Sequence, residues 1–451
     1  MKKKALSIIA AVLLASISLT ACGAGGSKSS ESSNPGASAS TDMTSTAETN
    51  SAPKEITMLM FTDWYKPGIQ AVEKDINDNA DKLGFKLNIE KIAGGQQGED
   101  LYRARAAANE LPMLIAHYGI STGLKDLGGF ERFQEVGGDW TKDIPEAIME
   151  SYIDSESGKV YGIPFDSINV SGVFYNKKVY EKLNLSVPKT YAEFLANCEK
   201  IKAAGITPIY LSAKDTWTVN LFDGEGWHME KESQPEFVAK LNNNKAHFTD
   251  YTGFKNAIQK QKELLDKGYF QKSYLADGYD GAHKALVDGT AAMVVNATWM
   301  MDEIKAKFPD QASDIGAFRV PFDDNNKVSI FTPFTLSATD KFEDKELLKK
   351  FIDYFTSQAA QQKFFDAQGG ISYQKGVTSS LLPAQADLKA YVDQGGGSNY
   401  WAINLKYDAV SDSNNYILDY FTGGKTLDEV ITAMDTVFAK SAKAKGDPNW
   451  K

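Results

Sequence analysis

The chain has 451 residues, a formal net charge of −10 at pH 7, four histidines and two cysteines. With no long run of Lys or Arg, that acidic balance argues against a nucleic-acid partner. One of the two cysteines sits in a leader, so no internal disulfide is available and the fold has to rest on its apolar core.

The chain opens Met1-Lys2-Lys3-Lys4, runs apolar from Ala5 to Leu19 and then reads Leu19-Thr20-Ala21-Cys22. A basic start, an apolar stretch of about 15 residues and small residues at its end predict a secretory signal over 1–22; a spanning helix needs about 20. Leu-Thr-Ala-Cys resembles the bacterial lipobox, whose cysteine receives a diacylglycerol and becomes the mature N-terminus, so Cys22 is the expected lipidation site. Residues 23–54 are mainly Gly, Ser, Ala, Thr, Asn and Pro without an aromatic. Such a segment buries too little to offset its ordering entropy and is expected to be a disordered tether spanning about 30 Å. Acyl chains on Cys22 would hold the protein on the outer face of a membrane.

The body, about 395 residues, suffices for two domains. Ile56–Phe61 reads as a strand, Ile69–Leu83 as a helix and Phe85–Ile92 as an alternating, half-buried strand. Gln97–Asn109 reads as a helix and Met113–Ala116 as a strand. This alternation is the grammar of an α/β sheet with helices on its faces. Gly94-Gly-Gln-Gln-Gly98 lacks the spacing and the Lys-Ser/Thr of a phosphate loop and reads as a turn. Cys198 shares a helical face with Phe194, Leu195 and Ile201, which predicts packing rather than a reactive thiol.

No His-Glu-x-x-His, Cys-x-x-Cys or Gly-x-Ser-x-Gly pattern supports catalysis. A surface glycoside hydrolase, which needs only two carboxylates on an aromatic cleft, is the enzymatic alternative, and a carbohydrate-binding adhesin is a third class. The acidic clusters Asp277–Asp280 and Asp323–Asn326 lack EF-hand spacing and read as solvated turns, so neither metal nor cofactor is expected.

From Gly158 the chain reads Gly158-Lys-Val-Tyr161-Gly162-Ile-Pro164-Phe165-Asp166, then Gly172-Val-Phe-Tyr175-Asn176-Lys177. Pro188-Lys-Thr190-Tyr-Ala-Glu193 and Ile201-Lys-Ala-Ala-Gly205-Ile-Thr-Pro208 follow. Upstream lies Ala106-Ala-Ala-Asn109-Glu-Leu111-Pro112, and downstream Leu286-Val-Asp-Gly289-Thr-Ala-Ala292-Met293-Val, with Trp299 beyond. In this order the motifs resemble the extracellular solute-binding proteins of carbohydrate ABC importers, the family that includes maltose-binding protein. The departures are Asn-Glu where the family has Gly-Asp, and Met113 where it has a second Asp. The resemblance runs from about Lys54 to Val437.

The resemblance implies a two-lobe, periplasmic-binding-protein-like α/β fold with a hinge of crossover strands. One lobe would comprise 55–166 and 335–378, the other 167–334 and 379–451. Tyr161–Asp166 would be the first crossing, Val328–Leu336 the return, and a third would lie near Ile371–Val377. Gly162, Pro164 and Pro333 would weaken a central strand but suit a hinge. The implied function is binding of a sugar, a di- or oligosaccharide, by a monomer that delivers it to a membrane permease.

The 7 Trp, 20 Tyr and 24 Phe support a sugar, because an aromatic plate matches the C–H face of a pyranose while Asp and Asn serve its hydroxyl rim. Asp63 and Trp64 follow the first strand, where α/β sheets place ligands. His117 and Tyr118 follow the third by the same logic. Phe165 and Asp166 adjoin the hinge, and Asn169 lies where the maltose-binding relative carries an acidic contact. Trp217 follows a strand, as a family tryptophan often does, and Trp227 stands with His228 after a Gly-rich turn. Asn296 and Trp299 are expected beyond a strand spanning Ala291–Val295 in a segment that faces the cleft in the family. Phe334 and Trp401 complete the ligand-binding candidates. Packing into a lobe core is the competing role for each aromatic.

Overall fold

The computed structural model describes residues 52–451 except 125, 155–156, 223–227, 229–233, 235, 324, 408 and 410–412. The expected leader with Cys22, the tether up to Ser51, and Trp227 lie outside the described residues.

Two sheets organise the rest. The first is built from β1 (Lys54–Phe61), β2 (Phe85–Ile92), β3 (Leu114–His117), β4 (Ile163–Phe165) and β10 (Phe334–Ala338), in the order β2-β1-β3-β10-β4. The second holds β5 (Asn169–Asn176), β6 (Thr207–Tyr210), β7 (Ala291–Ala297), β9 (Val328–Phe331) and β11 (Gly397–Asn399), in the order β11-β9-β5-β7-β6, with β8 (Ile315–Phe318) also paired to β5. β1 runs parallel to β2 and β3, whereas β10 enters antiparallel to β3 and β4.

The local causes are readable. In β2, Phe85, Leu87 and Ile89 point inward at every second position, the period of a half-buried strand. Pro67 opens the helix Pro67–Asp78, where its missing N–H costs nothing. The helix expected over Ile69–Leu83 is broken at Asn79. The Asn79 side-chain amide donates to the Asp75 carbonyl at 2.8 Å, the same acceptor its backbone N–H uses, a local competition that interrupts helices.

Alternate residues of the second sheet serve different cores. Phe174 and Val294 join the cluster that continues from the first sheet, while Val173, Met293 and Val295 join the second. Cys198, fully buried with Phe194 and Ile201, belongs to the second cluster. The Tyr175-Asn176-Lys177 motif has a structural role: Asn176 Oδ1 caps the following helix at Val179 N (3.1 Å), and its amide donates to the Leu286 carbonyl at 2.8 Å.

The chain passes between the sheets at Asp166–Ile168 and at Thr332-Pro333, and Ile168 N donates to the Ile371 carbonyl at 2.9 Å, tying in a third segment. The return run Val328–Leu336 is split because Pro333 has no N–H with which to continue a ladder. β7 extends to Ala297, two residues past expectation, so Asn296 lies within the strand opposite Gly172. Buried tyrosines brace the crossings: Tyr152 donates to the Pro333 carbonyl at 2.6 Å and Tyr373 to the Pro164 carbonyl at 2.7 Å.

Gly162 is required where these parts meet. A Cβ there would lie 2.5 Å from Thr335 Cγ2 and 2.8 Å from the Tyr152 ring. Gly162→Ala is expected to lower stability by about 1–3 kcal/mol, the usual range for overpacking, as measured by urea denaturation.

Candidate functional site

Two aromatic groups flank the Thr332-Pro333 crossing. On the first-sheet side, the turn after β1 delivers Trp64, whose ring stacks on Phe334 with centroids 4.1 Å apart and planes 21° apart. Tyr118, after β3, meets Trp64 edge-on at 4.8 Å, and Phe165 lies 6.5 Å away. Trp64 is 7 % exposed and Tyr118 56 %, so Trp64 is the foundation of this group and Tyr118 its accessible plate.

On the second-sheet side, Trp299 begins a helix directly after β7 and meets Phe331 edge-on at 4.9 Å. Trp217 lies 6.2 Å from Trp299 and 5.1 Å from Tyr279, and Phe331 stacks on Tyr400 at 4.6 Å. Trp299 touches both apolar clusters. Phe331 and Phe334 end and begin consecutive strands, which brings the two groups together at the crossing.

Polar residues sit between them. The buried Asp166 carboxylate accepts from Lys66 Nζ at 2.8 Å, from Ser167 N at 2.7 Å and from the Gln368 amide. Lys66 also lies 5.8 Å from the Phe334 ring centroid. Burial alone would lower the Lys66 pKa, but the Asp166 carboxylate, with Asp302 and Glu303 further off, outweighs it and holds the ammonium above its usual range. Asn169 accepts from the Thr298 hydroxyl at 3.2 Å. Asp63 is exposed on the turn beside Trp64.

Other expected residues are placed inside. Asn296 is 1 % exposed, and its Oδ1 accepts from Ala297 N at 2.8 Å. Trp401 is buried against Phe248 and Phe254, at 6.2 and 5.8 Å; its neighbour Tyr400 reaches the aromatic group instead. His117 is buried between the Gly119 carbonyl and the Ser337 hydroxyl, each 2.9 Å away, and burial pushes its pKa down to about 4, so the ring is neutral.

Sequence reading missed Lys66, Tyr279, Phe331, Tyr400 and Gln368. Lys66 had a local signal, three residues beyond Asp63. The others are brought in by tertiary packing.

Asp280, His283 and Glu303 place ligand-type atoms within 4.8 Å of one another. The Lys307 ammonium already sits 2.8 Å from Asp280 and 3.4 Å from His283 Nδ1. Burial and that ammonium push His283 down to about 4. The group therefore reads as a lysine-centred charge cluster behind Tyr279.

Two sheets joined by three crossing segments, with aromatic plates and convergent polar groups at the crossings, define a two-lobe binding protein that encloses its solute at a hinge. The chain belongs to the family described as bacterial extracellular solute-binding protein, whose model matches residues 62–362. It is 27% identical over 368 residues to the multiple sugar-binding protein of Streptococcus mutans, covering 78% of this chain and 83% of that one. It is 24% identical over 405 residues to a probable sugar-binding periplasmic protein of Mesorhizobium japonicum, covering 84% and 92%. Among solved structures, apo RafE from Streptococcus pneumoniae superimposes with a TM-score of 0.71 at 20% identity, covering 89% of this chain and 99% of that one. RafE in complex with raffinose gives 0.63 at 20% identity, covering 88% and 100%. These structures establish the two-lobe fold. Among the described residues, no helix is long and apolar enough to cross a membrane.

Asp302, one turn beyond Trp299, supplies a pH test. Burial, reinforced by the Asp166 charge, raises its pKa from 3.8 to about 6, while a hydrogen bond from Gln385 at 2.9 Å opposes the shift. The folded state thus holds this proton more tightly than the unfolded chain, and stability falls as pH rises from 3.8 through about 6. Asp302→Asn keeps the acceptor for Gln385 and removes that loss. Its melting temperature is expected to exceed wild type at pH 7–8 and to converge with it below about pH 4.

Proposed function

We propose that this protein captures a sugar, a di- or oligosaccharide, between its lobes and delivers it to the permease of an ABC importer. One observation carries the reading: aromatic groups from both sheets converge on one crossing, with Lys66, Asp166 and Asn169 between them. Such plates suit the apolar face of a pyranose, and the polar groups suit its hydroxyls. The sugar-binding names of the relatives agree with it.

In this reading 55–166 with 335–378 form one lobe and 167–334 with 379–451 the other, which follows the division of the strands between the sheets except at Phe334, the first residue of β10. A sugar touching both lobes favours the closed form through its differential contacts. Asp63, Tyr118, Asn169, Trp217 and Trp299 are the contacts we assign, with Trp64, Asp166 and Phe334 beneath them. The protein works as a monomer, without catalysis and without a cofactor. The lipobox-like Leu-Thr-Ala-Cys22 supports a diacylglycerol anchor on the extracytoplasmic face of the membrane.

Thermal unfolding of the protein without its leader, against a panel of mono- and oligosaccharides, tests the reading. A ligand at 100 times its Kd adds about 2.7 kcal/mol of stability by mass action. One sugar class is expected to raise the melting temperature, and Trp299→Ala is expected to abolish the rise. A flat response to every sugar would overturn the assignment, and turnover of an oligosaccharide would show a hydrolase.

A further inference from the structure

Two helices bring a charged cluster to the back of the second-sheet aromatic group. Tyr279 and His283 lie one turn apart on the helix Tyr279–Asp288, and Glu303 and Lys307 one turn apart on the helix Trp299–Lys307. We infer that Glu303, with His283, is a positioning residue for the sugar site: its charged form holds Tyr279 behind Trp217 by hydrogen bonds that its protonated form weakens, so sugar affinity falls in acid. This rests on the sugar reading above.

Geometry is the first ground. The Tyr279 ring meets Trp217 edge-on at 5.1 Å, and the His283 ring meets Tyr279 edge-on at 4.6 Å. Trp217 is 38 % exposed, Tyr279 half-buried and His283 buried. The three rings thus descend from the surface to the Glu303 carboxylate, 3.4 Å from His283 Nε2. The backbone is tied as well, because Tyr279 N donates at 2.7 Å to Asp215, two residues before Trp217. A shift of Tyr279 therefore moves the plate.

Unmade hydrogen bonds are the second. The Tyr279 hydroxyl and His283 Nε2 are buried without a hydrogen-bond partner among the described residues, and both neighbour Glu303. His283 Nδ1 faces the Lys307 ammonium at 3.4 Å, which assigns the ring proton to Nε2, on the Glu303 side. A buried donor left unmade is costly, and a bond to a carboxylate is roughly twice as strong as a neutral one. A sugar stacked on Trp217 presses Tyr279 inward and brings both donors onto the carboxylate.

Charge is the third. Burial raises the Glu303 pKa above 4.5, with Asp280 adding to the rise and Lys307, Tyr279 and Lys66 opposing it. Burial and Lys307 push His283 down to about 4, against Asp280. At pH 7 the pair is therefore a neutral ring beside a carboxylate. From the sheet beneath, β6 puts the Tyr210 hydroxyl against Gly281, and burial with Asp277 raises its pKa, so it keeps its proton throughout the acid range. β5 and β7 turn Phe174 and Val294 into the cluster that holds Ala282 and Leu286 of this helix. Because binding strengthens the bonds to the charged carboxylate, the bound form holds the Glu303 proton less tightly than the free form. Affinity is lost as pH falls through the free form's pKa.

Calorimetric titration of the mature chain with sucrose, raffinose, stachyose and maltotriose, from pH 7 to pH 4, tests the inference. With its pKa above 4.5, less than about a quarter of the free protein keeps Glu303 charged at pH 4, so affinity is expected to fall at least about fourfold. Glu303→Gln is expected to bind at least about fourfold more weakly at pH 7 and to lose the pH dependence. A merely structural change would instead lower the whole profile and keep its shape. His283→Gln, whose amide can accept from Lys307 and donate to Glu303, is expected to keep the wild-type profile, and His283→Leu to weaken binding at pH 7. Trp217 emission, read as the difference from Trp217→Phe, is expected to change between pH 7 and pH 4 in wild type and to stay constant in Glu303→Gln. A pH-independent affinity, or a profile that survives in Glu303→Gln, overturns the role of Glu303 while the sugar reading stands; loss of that surviving profile in Asp302→Asn assigns it to Asp302. Binding of no saccharide overturns the sugar reading, and this role falls with it.

Discussion

The arrangement depends on Asp166. It occupies the first crossing with φ at +80°, a backbone region that a non-glycine residue enters at a cost of about 1–3 kcal/mol. Its side chain is buried and accepts from Lys66, Ser167 and Gln368. Hydrogen bonds to a charged group contribute about 1.5–3 kcal/mol each, enough to offset that strain. Glycine would relax the backbone but would lose the acceptor, so the strain and the carboxylate belong together. Gln368 is fixed from both ends, because its Oε1 accepts from Gly68 N at 3.3 Å while its amide serves Asp166. Through this one carboxylate the turn that carries Trp64, the first crossing and the helix Gln358–Gln368 share a single anchor.

The aromatic groups follow from that anchor. Lys66 stands two residues beyond Trp64, so holding its ammonium at the crossing also holds the Trp64 ring on Phe334. Pro333 divides the return run into a strand for each sheet, which leaves Phe331 with one group and Phe334 with the other. The tyrosines that bind the Pro333 and Pro164 carbonyls are buried, and both accept a role a loop could not supply: they satisfy backbone groups where no ladder can.

Much of the fold was legible in the sequence because its signals are local. Alternation in Phe85–Ile92, the apolar run of β7 and the order of the family motifs each depend on near neighbours. The site was legible only in part. Of the candidates, Trp64, Tyr118, Trp217, Trp299 and Phe334 lie together at the crossing because the segments flanking the strands deliver them to one region. Asn296 was misplaced by two residues of strand, enough to bury it in the sheet. At the Tyr400-Trp401 pair, Trp401 was the candidate, yet adjacent residues leave the chain in different directions: Trp401 packs in the core and Tyr400 on Phe331. Tyr279 and Gln368 come from helices whose placement only long-range packing determines.

Cys198 carries a practical consequence. Its thiol is fully buried in the second cluster, and burial pushes its pKa far above the ordinary range, so thiolate chemistry is closed to it. With the leader cysteine removed, no other thiol remains in the chain. A cysteine introduced on the rim near Tyr118 or Trp217 would then take a maleimide dye alone, without first mutating the native residue. The protein is in that sense already a scaffold for an optical sugar sensor, whose dye would report the opening and closing of the lobes.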